Sequence, residues 1–308
     1  DRRLLTAWVA VVLASAASFS IPAIAQGYAG DFASGPFSHK NELGAALVGP
    51  LVLAAAVALA GRPRGLRWLA LAALPLIGRA LMFSLSRGAL VAALAGLGVV
   101  AVGLFSERRL RRVLLSLLPL ALVGALLLLA RSDRPVVAEL LTATAGTEDA
   151  NMQFRMQERW PHFTAMIVAH PWFGTGEGRD LTLGDDMNTP HNGYLSLALI
   201  HGIPAAAMVI LFGVAGMNAG VRVLRSAGDP SLRALGIGLS GAIAALLVHN
   251  LVDATLYNAF AGKLYWMLSA VALVLARRPG AFAAAGPAPE APVTAPAPVA
   301  SPYLGVAS

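Results

Sequence analysis

The sequence predicts an all-α membrane protein of about eight transmembrane helices, with one long hydrophilic loop that contains short helices. Three observations predict it. Of the 308 residues, 57% are hydrophobic and only 13% charged, whereas soluble domains are about 25% charged. Apolar runs long enough for about 30 Å of hydrocarbon recur along the chain. The arginines fall in short clusters between those runs. Such proportions exclude a cytosolic enzyme, a disordered regulator and a conventional nucleic-acid binder. The net charge of +7 is scattered in these clusters and forms no single basic face. There is no cysteine, so disulfides, iron–sulfur clusters, thiolate zinc sites and cysteine nucleophiles are excluded.

The apolar runs are 4–25, 43–60, 66–83, 88–105, 113–130, 194–217, 232–252 and 263–276, the last of them short. Each is expected to be a helix, because a lone segment in lipid must satisfy its own backbone hydrogen bonds. The first run follows Arg2 and Arg3 and ends near Ala23-Ile24-Ala25, which resembles a signal-peptidase site. It is longer than a usual signal segment, so a retained span is expected. The first residue is Asp, and an N-terminal portion is expected to precede it. Four regions follow: five helices within 1–130, a loop over 131–192, three helices within 193–278, and an Ala/Pro-rich tail over 279–308, expected to be disordered.

Alternate gaps between the spans carry fourteen arginines on one side. The short gaps on the other side carry Lys40, Arg87 and Lys263. By the positive-inside rule the fourteen face the cytoplasm. The loop 131–192 is then expected outside, and the tail inside.

Most of the polar chemistry lies on that outer side. Arg155 and Arg159 are four residues apart and His162 three further on, one face if the helix is continuous. Pro161 must restart or kink that helix. A guanidinium face beside a membrane suits phosphate; a solvated face, with Arg159 paired to an acid, is the plainer alternative. His191, in Thr189-Pro190-His191-Asn192-Gly193-Tyr194, stands at the start of a helix. Histidine changes charge near neutral pH and can serve as a general base, and a helix start offers backbone N–H groups to an anion. A capping role is the alternative. Arg87, in Ser86-Arg87-Gly88, is a boundary anchor or a phosphate ligand. Arg79 falls inside an apolar run, where an ionisable group is a functional candidate. His249, Asn250 and Asp253 read as a structural hydrogen-bond network. Asp185, Asp186 and His191 are the residue types of a metal site at an undiagnostic spacing, and no metal is expected.

These motifs together resemble the bacterial O-antigen ligase and O-antigen polymerase superfamily. Phe37-Ser38-His39-Lys40-Asn41-Glu42-Leu43-Gly44 and Ser86-Arg87-Gly88 are similar to two of its signatures. So are Arg155 with Trp160, His170-Pro171-Trp172-Phe173-Gly174-Thr175-Gly176, and His191-Asn192-Gly193-Tyr194-Leu195 followed by Gly202-Ile203-Pro204. The resemblance runs from about 35 to 257. It implies a GT-C-like, metal- and cofactor-independent glycosyltransferase of the bacterial inner membrane with a periplasmic active face. Its donor would be a glycan on undecaprenyl pyrophosphate and its acceptor the lipid A core (ligase) or another glycan (polymerase), with membrane lipids around it. It assigns His191 as the base and Arg87 and Arg155 to the donor pyrophosphate, with Arg79, Arg159, Lys40, Asn192 and His249 as accessory candidates. Family members often have about twelve spans, and Pro161 beside Trp160 departs from their pattern. The alternatives are an exopolysaccharide polymerase, a lipid or anion transporter, and an envelope scaffold. A transporter should carry polar groups through its whole depth, whereas here they gather on one side.

Overall fold

The computed structural model describes residues 2–29, 32–60, 63–105, 153–176, 190–257 and 259–277. The apolar run 113–130, most of the loop 131–192 and the tail 279–308 lie outside them. The described residues form α1 (Arg2–Ala29), α2 (Lys40–Ala60), α3 (Arg64–Phe83), α4 (Arg87–Phe105), a π turn (Arg155–Arg159) continuing into α5 (Trp160–Ala169), α6 (Gly193–His201), α7 (Ile203–Ser226), α8 (Pro230–His249), a 3-10 turn (Thr255–Tyr257) and α9 (Ala259–Arg277). Seven of these helices, α1 to α4 and α7 to α9, are long and apolar enough to cross a membrane. The chain is an all-helical, multi-pass membrane protein.

Composition explains which helices sit inside. α2 and α8 are apolar all round and are the two most enclosed spans, as expected for helices with no lipid-facing stripe. α8 packs against α2, α4, α7 and α9, while α1 and α3 pair at one flank. α1 is a full member of the bundle: Leu13, Ala16 and Ala23 are fully buried. At the α4–α8 crossing Ala92, Gly96, Gly241 and Ala245 are the small residues that let membrane helices approach.

The run 194–217 is not one span. It breaks at Gly202, whose φ of 88° is left-handed backbone that suits glycine. Pro204 then starts a new helix, where a missing N–H costs nothing. The spanning helix is therefore α7, Ile203–Ser226, and α6 is a short separate helix of nine residues. Similarly, the run 232–252 ends as helix at His249, and the short run 263–276 belongs to a full span of nineteen residues. The α-helix restarts at Trp160 with Pro161 in its first turn, as expected of a proline. The turn before it is widened, with the Trp160 amide bonded to the Arg155 carbonyl, and this π geometry absorbs the proline.

The chain order places the ends of the spans on two rims. The start of α2, the α3–α4 turn, α5, α6 and the α8–α9 connection share one rim. The starts of α1 and α3, the α7–α8 turn and the end of α9 share the other.

Candidate active site

Four backbone segments build the first rim, and each is fixed by local chemistry. The α3–α4 turn has almost no loop. The Ser84 hydroxyl donates to the Leu81 carbonyl (2.6 Å) and accepts from the Ser86 amide (3.2 Å), while Leu85 takes a φ of 50°. The Ser86 hydroxyl then donates to Asn41 Oδ1 at 2.9 Å. This bond joins the Lys40-Asn41 segment of α2 to Arg87 at the start of α4. Lys40 lies over the Phe32 ring, 4.7 Å from its centroid, and feels the like charge of Arg87.

The arginine-bearing turn docks onto the α8–α9 connection. Arg155 Nη1 donates to the Val252 carbonyl at 3.2 Å. Trp160 Nε1 donates to the Pro190 carbonyl at 2.9 Å, which fastens the His191 segment to the same turn. The turn at 170–176 closes the far end of α6. Its Thr175 and Gly176 amides donate to the Leu199 and Ile200 carbonyls, and the Ile203 amide donates to Pro171.

His191 stands at a φ of 47°, uncommon for a residue with a side chain and the kind of strain that collects at functional sites. Its Nδ1 is 3.9 Å from Asp253 Oδ1. Burial alone would raise the Asp253 carboxyl. The His191 contact, the Ala254 amide at 2.8 Å and the nearby histidine charges outweigh it and hold the group below the usual carboxylate range. Arg155 is half-buried in the same cluster. Burial and then the charge of Arg159 weaken its hold on its proton; Asp253 opposes them and Arg87 adds to them. Guanidinium stays charged regardless. The rim thus brings Arg155, Arg159 and Arg87 together near the carboxylate of Asp253, with Lys40 beside Arg87.

The structure brings Arg87, Arg155 and His191 into one region. Arg159 is buried and not solvated, 5.3 Å from the Phe154 ring centroid, and among the described residues no acid pairs with it and its Nε has no hydrogen-bond partner. Asn192 is a helix cap, accepting from the Tyr194 and Leu195 amides at 3.0 and 3.2 Å. The expectation that the start of α6 offers amides to an anion is therefore wrong. Those two amides are taken, and the Gly193 amide donates to the Asn250 and Asp253 carbonyls. Gly193 presses against the Asn250 side chain, where a Cβ would collide. His249 is buried with Nδ1 against the Thr255 hydroxyl, and Asn250 Oδ1 accepts from the Leu256 amide at 3.1 Å, while His249 Nε2 and Asn250 Nδ2 have no partner among the described residues. Arg79 lies apart from the cluster, between Tyr28 and Phe83. Asp185 and Asp186 lie outside the described residues. Asp253, read from sequence only as part of the network, is the partner of His191; no spacing marks a pair so far apart in the chain.

An arginine cluster beside a strained histidine that lies 3.9 Å from a carboxylate can bind a polyanion and accept a proton. No curated protein matches the chain. Residues 70–210 match the family model described as O-antigen ligase, a stretch that includes Arg79, Arg87, Arg155, Arg159 and His191. Over that stretch this membrane-spanning chain is similar to the O-antigen ligase family.

Proposed function

We propose that the protein transfers a glycan from undecaprenyl pyrophosphate to an acceptor hydroxyl at the periplasmic face of the bacterial inner membrane, without a metal or cofactor. The convergence of Arg87 and Arg155 beside the His191–Asp253 pair supports this most directly. In the reaction the acceptor oxygen attacks the anomeric carbon. The bond from that carbon to the pyrophosphate oxygen breaks, and its electron pair leaves with the lipid pyrophosphate. Arg87 and Arg155 stabilise the charge growing there through positioned donors. With Nδ1–H directed at Asp253, the Nε2 of His191 is the basic nitrogen and takes the acceptor proton. Asp253 then stabilises the imidazolium formed. One in-line displacement inverts the anomeric configuration.

The ligase reaction, with a lipid A core as acceptor, is the reading tested first. Purified protein is given an undecaprenyl-pyrophosphate glycan and either a lipid A core or a second lipid-linked repeat. Glycosylated lipid A core is the expected product, formed equally well in EDTA. Lengthened lipid-linked glycan would assign a polymerase instead. Activity abolished by EDTA and restored by a divalent cation would overturn the metal-independent mechanism. Reporter fusions within 131–192 and 279–308 test the orientation: the first should report the periplasm and the second the cytoplasm.

A further inference from the structure

We propose that Arg79 and Tyr28 form a second phosphate site, separate from the Arg87–Arg155 cluster, that binds the headgroup phosphate of an anionic lipid. Arg79 is sixteenth in the twenty-residue α3, so it lies about 6 Å inside the rim end of that helix. It continues the lipid-facing stripe of Trp68 and Leu76, both exposed. The guanidinium is 4.2 Å from the Phe83 ring centroid and 5.4 Å from that of Tyr28. Ring faces attract the charge but leave the N–H edges unsatisfied. Of those edges, Nη2 donates to the Tyr28 hydroxyl at 3.3 Å, and the buried Nε has no acceptor. No carboxylate among the described residues pairs with it.

A permanent cation on a lipid-facing stripe, held by aromatics and lacking a counter-charge, needs an anion from its surroundings. Phosphate fits, because the planar fork can donate two parallel bonds to its oxygens. The Tyr28 hydroxyl, having accepted from Arg79, keeps its own proton to donate. Tyr28 is 71% exposed and stands one residue from the end of α1. The lipid-facing position selects a membrane lipid over free phosphate. This inference does not rest on the glycan-transfer reading.

The test uses the full chain in detergent micelles titrated with phosphatidylglycerol or phosphatidylcholine, with bound lipid counted by native mass spectrometry. Wild type should retain phosphatidylglycerol in preference. Arg79→Gln should weaken that retention about tenfold, the worth of a charge-assisted hydrogen bond. Tyr28→Phe should weaken it less, and Arg67→Gln, at the opposite end of α3, should leave it unchanged. Arg79→Lys, which keeps the charge should the Gln variant misfold, should fall between wild type and Gln. Equal phosphatidylglycerol retention by wild type and the folded Arg79 variants would overturn the site. Displacement of the lipid by millimolar inorganic phosphate would overturn the assignment to a lipid. A loss in Arg67→Gln equal to that in Arg79→Gln would show a general effect of removing charge, contradicting a specific site.

Discussion

At the rim that carries the starts of α1 and α3, cations find local partners. Arg2 pairs with Asp229 at 2.7 Å, Arg67 Nε donates to the Ala58 carbonyl at the end of α2, and Arg233 Nε donates to the Ala227 carbonyl. These contacts satisfy helix ends, as basic residues near C-terminal carbonyls generally do. At the other rim the cations crowd one another. Arg155 feels Arg159 and Arg87, Lys40 feels Arg87, and Arg159 is buried against an aromatic ring. Gathering like charges costs free energy that an anionic ligand would return. On the proposed function, the difference separates charge that finishes helices from charge assembled for a ligand.

Six substitutions would break or sharpen that contrast. The largest effect is expected for His191→Ala, which should lower the rate of transfer about 10²–10⁴-fold while donor affinity holds. Steady-state turnover and equilibrium donor binding, measured side by side, check it. Arg87→Ala and Arg155→Ala come next. Each should cost on the order of 10²-fold in kcat/KM, as loss of a positioned donor to developing charge does. Arg87→Lys should stay impaired because an ammonium lacks the fork.

Asp253→Asn should act more gently. A part-exposed ion pair is worth up to about 1 kcal/mol, or roughly fivefold. The pH dependence carries the sharper signature. Because the folded Asp253 carboxyl lies below the ordinary value of about 3.9, the stability it contributes is fully present above that pH. It is lost as the pH falls through the lower folded value. The melting difference between wild type and Asp253→Asn should thus be constant near neutrality and shrink in acid.

The smallest catalytic effect belongs to the opposite rim. Asp229 caps α8, accepting from the Ser231 amide at 2.7 Å, and pairs with Arg2. Asp229→Ala should cost about 1 kcal/mol of stability and leave the kcat of the folded protein unchanged. A large loss of kcat there would end the division of roles between the rims.

Much of the fold was legible because lipid makes hydropathy a structural instruction: seven apolar runs mark the seven described spans. The break at Gly202 was not, since the run 194–217 is apolar on both sides of it and hydropathy does not register φ. Asn192 carried a readable signal, an Asn directly before a helix, and its cap explains why the α6 amides are unavailable. The convergence of Arg87, Arg155 and His191 was anticipated from ordered motifs, not from spacing. Contacts that bridge long stretches of chain, His191 with Asp253 and Trp160 with Pro190, leave no periodic trace. They arise only when α8 and the arginine turn dock.

The central claim is that the crowded cations hold a lipid-linked pyrophosphate while His191 does the proton chemistry. Binding of an undecaprenyl-pyrophosphate glycan to the full chain in nanodiscs, compared among wild type, Arg87→Ala, Arg155→Ala and His191→Ala, tests it most directly. The account predicts that both arginine variants lose donor affinity and that His191→Ala keeps it while losing turnover. Donor affinity unchanged in both arginine variants would contradict it.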